Sequence, residues 1–267
     1  MYKYLDANNI LISNQYGFRP NYSTSLALFE LTENIRKDID TGHVVALVTK
    51  DLEKAFDMLS HDILIRKLKY YGFSDQVIKW FSDYFQLRRQ VTLINGNESN
   101  PTFVKHGVPQ GSILGPLLFI LYLNDLPRVI KHCKISLYAD DTCVYLASKD
   151  PAQLQEMLNE DLEAMSKWYS HNELLLNTKT CKLILFGTKK NLSKFHHVNI
   201  HIDQCKLEII KEFKYLGVIL DNHLSWAPQI ESVKVKILRN LYVLRRARPF
   251  INHLIHKRSS HNIVEFD

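Results

Sequence analysis

Apolar and polar residues alternate along the chain with two different periods, which predicts a mixture of helices and strands. Residues 44–49 form an unbroken apolar run, typical of a strand that is buried on both faces. The turn signal Asn95-Gly96 predicts a hairpin. Apolar residues recur with helical spacing, which predicts amphipathic helices, in residues 24–41, 61–71, 75–85 and 151–168.

The segment Tyr138-Ala139-Asp140-Asp141 lies between residues 133–137 and 142–146, which have the composition of strands. Asp tolerates turn conformations, so we predict a hairpin with both carboxylates at or beside its tip. Two adjacent carboxylates on a rigid hairpin repel each other unless a cation lies between them. A hard divalent ion such as Mg²⁺ prefers such ligands. For these four residues alone, the alternative is a pair that only solvates the turn.

A further acidic position and a glycine-rich segment precede this hairpin. Asp51 directly follows the buried strand, where an open sheet often places a site; the alternative is a cap for the next helix. Residues 106–116 contain three glycines and two prolines, which predicts a loop whose backbone can approach a ligand closely.

Composition and charge narrow the class of protein. The 267 residues are 46% hydrophobic and 23% charged, which is typical of a globular chain. The net charge of +6 suits a polyanionic partner.

The four cysteines are scattered and lack metal-ligand spacing, and the chain shows no apolar signal region. These features predict an intracellular protein, in either the cytoplasm or the nucleus. The longest apolar run, residues 113–123, is too short to span a membrane.

The C-terminal segment is basic, with no acidic residue from 232 to 264. Helical spacing places Val233, Ile237, Leu241 and Leu244 on one stripe, while Lys236, Arg239 and Arg246 point the other way. Such a helix either lies on a phosphate backbone or is merely solvated. We expect the tail after Asn252 to be unstructured.

Six segments, in this order, resemble the reverse transcriptase of non-LTR (LINE-type) retrotransposons, most closely the jockey-like elements. The resemblance extends from about residue 15 to residue 244. The segments are Gly17-Phe18-Arg19 with Ser23-Thr24, residues 51–57, residues 107–112, residues 138–141, Leu176-Asn177 with Lys179 and Lys182, and residues 213–217.

The resemblance implies an α+β, right-hand polymerase fold in which the palm is an antiparallel sheet with helices on one face. It assigns residues 1–43 to partial fingers and 44–222 to the palm. The palm would include a finger insertion at about 61–112 and a primer-grip hairpin at 207–221. Residues 223–267 would be the start of the thumb and a basic tail. The family's first fingers strand and its endonuclease domain are missing, so we expect a fragment truncated at both ends. Lys50 also stands where the family commonly has an apolar residue.

The resemblance also implies the site residues. Asp51 and Asp140 resemble the two aspartates that bind two Mg²⁺ ions, with Mn²⁺ as a substitute, and Asp141 is their neighbouring acid. The Leu52 carbonyl would face a metal, and Phe56 resembles the gate that rejects a ribose 2′-hydroxyl. The other implied contacts are Gln110, Gly111, Arg19 and either Lys179 or Lys182 for the nucleotide, Tyr215, Leu216 and Gly217 for the primer grip, and Lys236, Arg239 and Arg246 for the nucleic-acid backbone.

The implied activity is RNA-directed DNA polymerisation by a monomer that uses an RNA template, a DNA primer or target DNA, and dNTPs. The competing hypothesis is a catalytically inactive palm that still binds nucleic acid, and the third is an inert relic. A nucleotide cyclase would not need the Pro109-Gln110-Gly111 loop or the primer-grip hairpin.

Overall fold

The computed structural model describes residues 1–50, 52–86, 88–109 and 111–259, with side chains described up to residue 248. Within them, the helices are α1 (Tyr2–Ala7), α2 (Thr24–Asp40), α3 (His61–Tyr70), α4 (Asp75–Gln86), α5 (Gly115–Leu123), α6 (Pro151–His171), α7 (Lys189–Leu192) and α8 (Ala227–Ser259). The strands are β1 (Val44–Lys50), β2 (Arg89–Gln90), β3 (Leu93–Ile94), β4 (Asn97–Glu98), β5 (Thr102–Phe103), β6 (Lys134–Tyr138), β7 (Asp141–Ser148), β8 (Lys182–Phe186), β9 (His201–Ile202), β10 (Cys205–Lys206), β11 (Ile209–Ile210), β12 (Glu212–Tyr215) and β13 (Val218–Asp221).

The central sheet has the strand order β11-β8-β1-β7-β6. Its pairs are antiparallel except that β11 runs parallel to β8. The short strands β2 to β5 lie outside it and form two separate pairs, β2 with β5 and β3 with β4. The apolar strand β1 is therefore central, with a neighbour on each side, as its continuous apolar sequence predicts.

Helices cover both faces of this sheet, not one face as the resemblance implied. The Lys50 ammonium lies 3.6 Å from the sulfur of Met165 in α6. Tyr145, which pairs with Leu47, accepts a hydrogen bond from Asn34 of α2. Positions 47 and 50 point to opposite faces of β1, because side chains alternate along a strand. Each face is thus buried against a different helix, which explains why β1 lacks polar alternation.

Two other expectations need correction. The hairpin predicted over residues 207–221 is shorter, because Ile209–Ile210 joins the central sheet beside β8 and only β12 and β13 pair with each other. The tail predicted to be unstructured after Asn252 is helical as far as Ser259.

The chain divides into two compact units. The first contains Met1–Glu212 with Asn222–Leu224, and the second contains Phe213–Asp221 with Ser225–Asp267. The finer division into fingers, palm and thumb stays a prediction. None of the described helices combines the length and apolar character needed to cross a bilayer.

Candidate functional site

The two adjacent carboxylates lie at a hairpin tip, as predicted. Tyr138 and Asp141 are the last pair of β6 and β7, so Ala139 and Asp140 form a two-residue turn. Ala139 is buried and has a φ of 55°, in the left-handed region that L-residues rarely adopt. Asp140 is half-buried and Asp141 is exposed, so both carboxylates can be reached from solvent.

The end of β1 lies beside this tip. Lys50 pairs with Thr142, the residue after Asp141. Leu52 forms an isolated antiparallel bridge with Leu176, in which the Glu53 N–H donates to the Leu175 carbonyl. The Leu52 carbonyl takes no part in this hydrogen bond between Glu53 and Leu175. Asp51, between Lys50 and Leu52 in the sequence, lies outside the described residues.

One buried amide holds the hairpin tip in place. The Gln15 Oε1 accepts a hydrogen bond from Gly17 N–H at 2.8 Å and another from Ala139 N–H at 3.1 Å. A Cβ on Gly17 would lie 2.3 Å from the Ala139 nitrogen, so only glycine fits against the turn. The Tyr16 N–H also donates to the Leu137 carbonyl at 2.8 Å, which attaches this segment to the edge of β6.

Sequence reasoning missed Gln15 as a positioning residue. Glutamine is usually exposed, and nothing in its neighbours marks this one as buried, although it is 1% exposed. The only signal was its place two residues before Gly17, in a segment already matched to the family.

A Gln15→Leu variant is expected to lower the free energy of unfolding by about 2 kcal/mol, because it leaves two buried N–H groups unpaired. Since Ala139 is strained, we also expect any activity that depends on the tip to fall. Urea unfolding measures the stability change, and Gln76→Leu on the exposed face of α4 is the control. Equal stabilities of the Gln15 and Gln76 variants would contradict the clamp.

Phe56 lies within a cluster of three aromatic rings. Its ring stacks on Phe119 with centroids 4.5 Å apart and meets the edge of Phe18 at 6.0 Å. Its backbone carbonyl accepts a hydrogen bond from Val108 N–H at 2.9 Å. The ring is therefore held from two sides, which suits a rigid steric gate.

The glycine-rich loop packs directly on the turn that contains Phe56. Gly107 has a φ of +86°, and a Cβ there would lie 2.9 Å from the Cα of Asp57. Gly111 also has a left-handed φ, of +80°, whereas Gln110 lies outside the described residues. A cavity of about 620 Å³ adjoins this loop, and its lining includes Asp57, Arg88 and Arg89.

Lys50, the last residue of β1, is buried, which is uncommon for a lysine. The residue is 2% exposed, and its ammonium lies against the Met165 sulfur and 5.3 Å from the centroid of the Tyr169 ring. Cys181, Asp203 and Cys133 also lie close enough to favour its charged form. Burial lowers the pKa of Lys50 to about 8. The structure therefore places a cation in a buried position, where the resemblance led us to expect an apolar residue.

The three predicted basic contacts to the nucleotide differ in their surroundings. The Lys182 ammonium forms a 2.7 Å ion pair with Glu208, whereas Lys179 is exposed and has no ion pair among the described residues. The Arg19 Nη1 donates to the carbonyls of Ile12 and Gln15, and the guanidinium lies over the Tyr22 ring. Arg19 thus supports its own loop, and its contact with a triphosphate stays a prediction.

The predicted primer grip and backbone contacts belong to the second compact unit. Leu216 and Gly217 have φ values of 46° and 89° and form the turn between β12 and β13, directly after the buried Tyr215. The basic residues lie on the exposed surface of α8, namely Lys236, Arg239 and Arg246. The stripe Val233, Ile237, Leu241 and Leu244 is also exposed. These roles stay predictions.

The donor set at the hairpin tip fits a divalent cation. Two carboxylates held on one turn supply the hard oxygen ligands that Mg²⁺ prefers. Within the described residues, no group of three His, Cys, Asp or Glu side chains could hold a metal ion. The sequence adds Asp51 to the pair, directly after the strand that runs beside it.

Comparisons with known proteins point to the same family as the sequence motifs. The family model described as reverse transcriptase (RNA-dependent DNA polymerase) matches residues 1–220. The probable RNA-directed DNA polymerase from transposon BS of Drosophila melanogaster is 30% identical over 88% of this chain and 26% of that protein. The polymerase from mobile element jockey of Drosophila funebris is 27% identical over 82% of this chain and 24% of that protein. The chain thus spans about a quarter of the length of these relatives.

Solved structures show the same fold. The Candida tropicalis telomerase in complex with a TWJ fragment of telomeric RNA has a TM-score of 0.57 at 11% identity, covering 82% of this chain and 35% of that chain. The apo enzyme gives 0.56 at 12% identity, covering 84% and 38%. At such identities the likeness shows the fold alone, and it confirms the predicted α+β right-hand polymerase.

Proposed function

We propose, from the premise that the chain belongs to the reverse transcriptase (RNA-dependent DNA polymerase) family, that it is an RNA-directed DNA polymerase. It would add dNTPs to a primer 3′ end. The observation that carries the proposal is the hairpin tip with Asp140 and Asp141, in register with the end of β1. Asp51 follows that end directly in the sequence.

The chain's own oxygen ligands would hold two Mg²⁺ ions, or Mn²⁺ in their place. We assign Asp51 and Asp140 as the principal ligands, the Leu52 carbonyl as a further ligand, and Asp141 as a neighbouring acid. When bound, such ions lower the pKa of the attacking hydroxyl and neutralise the leaving pyrophosphate. The hairpin contributes rigidity, because Gln15 fixes the Ala139 turn that presents Asp140.

The aromatic gate and the loop would select and seat the nucleotide. Phe56, packed between Phe18 and Phe119, cannot easily move aside for a ribose 2′-hydroxyl, so we expect dNTPs to be favoured over rNTPs. The backbone at Gly111, whose φ is +80°, can lie against a base pair without a side-chain clash. Gln110 and Arg19 would line the same pocket.

We expect Lys179, and not Lys182, to contact the pyrophosphate. Lys179→Ala should lower the extension rate about tenfold, the loss of one charge-assisted hydrogen bond. Lys182→Ala should leave the rate within about twofold, because that ammonium already pairs with Glu208. Single-turnover rates measure both variants, and the reverse order of effects would contradict the assignment.

The partners are an RNA template, a DNA primer or target DNA, and dNTPs. The similar telomerase was solved with a fragment of telomeric RNA, and the basic surface of α8 suits a nucleic-acid backbone. There, Lys236, Arg239 and Arg246 would contact phosphates, while Tyr215, Leu216 and Gly217 would support the primer. We expect a monomer inside the cell, in the cytoplasm or the nucleus.

Primer extension by the full chain tests the proposal. A DNA primer annealed to an RNA template is incubated with dNTPs and Mg²⁺, with omission of the template as the control. Template-dependent extension with dNTPs, and little with rNTPs, is the expected result. A folded protein that binds the duplex without extending it would overturn the proposal in favour of an inactive palm.

A further inference from the structure

One side of α4, with the residues just beyond its end, carries a ladder of flat groups. The rings of Trp80 and Tyr84 stack with centroids 5.4 Å apart and planes 9° from parallel. The Arg88 guanidinium follows over the Tyr84 ring, 5.7 Å from its centroid. Trp80 and Tyr84 are four positions apart in α4, so they share one side of the helix axis. Arg88 follows beyond the helix end at Gln86. Trp80 is 52% exposed, which leaves much of this face open to solvent.

The two rings of this ladder differ in burial: Tyr84 is half-buried and packs against the core, whereas Trp80 is exposed. Phe81 and Phe85 are the buried residues of α4, at 3% and 1% exposure. The Trp80 ring meets the edge of Phe81 at 4.9 Å, and the Tyr84 ring meets the edge of Phe85 at 5.3 Å. Buried rings thus support the exposed Trp80 and the half-buried Tyr84 from behind, and the outward surface is a rigid aromatic platform.

The platform leads to the cavity beside the glycine-rich loop. Arg88 and Arg89 both line that cavity, together with Gly107 and Asp57. Arg89 lies over the ring of Phe103, 4.6 Å from the centroid, and Phe103 is 53% exposed. Aromatic and cationic groups therefore continue from α4 to the loop that packs on the Phe56 turn.

The two arginines carry charge that no ion pair within the described residues neutralises. Neither Arg88 nor Arg89 forms an ion pair with any described residue, and both are exposed. Among the described residues that line the cavity, Asp57 is the single carboxylate. Exposed rings interleaved with unpaired guanidinium groups suit a strand that offers base faces and phosphates in alternation. A protein partner would need acidic groups that match these arginines, and no feature of this surface favours such a partner.

We propose that Trp80, Tyr84, Arg88 and Arg89 bind the single-stranded RNA template ahead of the position being copied. Bases would stack on the Trp80–Tyr84 face, and the arginines would contact the phosphates as the strand approaches the glycine-rich loop. The proposal deepens the polymerase assignment and rests on it for the direction of the strand. Binding of single-stranded RNA itself does not depend on catalysis.

Binding of a fluorescent oligo(U), measured by anisotropy in EDTA, tests the platform. Trp80→Leu should weaken binding about tenfold, the effect of losing one stacked base. Tyr70→Leu is the matched control, because Tyr70 is another helical aromatic residue, 69% exposed, on α3. The control should bind within about twofold of the original chain. Equal affinities of the two variants, or no binding by the unaltered chain, would overturn the proposal.

A second arm separates this proposal from the polymerase assignment. Arg88→Gln should reduce the slope of log affinity against log salt by about 0.7, the value for one phosphate contact on a single strand. Asp150→Asn, at the cap of α6, should leave oligo(U) binding unchanged. Because binding is measured in EDTA, the platform can be supported even if extension is never observed. On active protein, Trp80→Leu should raise the KM for a template with a long single-stranded 5′ overhang but not for one with a single unpaired nucleotide. An equal KM change on both templates would overturn the assigned position.

Discussion

An Asp140→Asn variant is expected to extend a primer on an RNA template about a thousandfold more slowly than the unaltered chain, or not at all. Asparagine keeps the shape of the side chain and tolerates turn geometry, so the hairpin between β6 and β7 should persist. It removes the negative charge that would hold a divalent ion. The loss of several kcal/mol of transition-state stabilisation corresponds to this factor. Single-turnover extension rates measure it.

Asp150→Asn is the matched control for that loss. Asp150 caps α6 by accepting a hydrogen bond from Ala152 N–H at 2.9 Å, and asparagine is an equally good cap. Its extension rate should equal that of the unaltered chain. An Asp140→Asn rate as high as that of the Asp150 variant would exclude Asp140 as a metal ligand.

Lys50→Met is expected to raise the free energy of unfolding by about 3 kcal/mol at neutral pH. The pKa of Lys50 falls from 10.5 in the free side chain to about 8 in the folded chain, because burial disfavours the charged form. Each pKa unit is worth about 1.4 kcal/mol. The fall from 10.5 to about 8 therefore means that keeping Lys50 charged below pH 8 costs the folded state about 3 kcal/mol. Urea unfolding in EDTA measures the gain. Lys149→Met is the control, because Lys149 is exposed, and it should change the free energy of unfolding by less than about 0.5 kcal/mol.

The gain from Lys50→Met should depend on pH in one direction. Below about pH 8 the lysine is protonated in both the folded and unfolded states, so the penalty is complete. Between pH 8 and 10.5 only the unfolded state binds the proton, so the stability of the unaltered chain rises with pH relative to the variant. The advantage of methionine should therefore shrink over this interval. An advantage that stays constant or grows would contradict a buried charge.

Local sequence patterns predicted the parts of the site that depend on neighbours in the chain. The apolar run that became β1 and the turn at Ala139-Asp140 were evident because strand and turn preferences are local. The order of motifs then identified the fold, since that order follows the path of the chain through the sheet.

Features that depend on long-range packing were not predictable. Gln15 lies 124 residues before Ala139, and its clamp exists only once residues 14–17 lie along β6. The covering of both sheet faces, by α2 and α6, likewise follows from tertiary packing. The β12–β13 hairpin is shorter than predicted because Ile209 and Ile210 pair with the free edge of β8 instead of extending the hairpin. The aromatic ladder at α4 was not predicted, because it depends on how the Trp80 and Tyr84 rings stack and where Arg88 lies.

Iron-directed cleavage of the backbone tests the metal site most directly. Fe²⁺ replaces Mg²⁺ in oxygen-ligand sites, and hydroxyl radicals formed with ascorbate and peroxide cut the chain close to the bound ion. We predict cuts near residues 51–52 and 139–141, suppressed by excess Mg²⁺ and absent in Asp140→Asn. Cuts confined to another region, or unchanged in that variant, would contradict a catalytic metal centre at the hairpin tip.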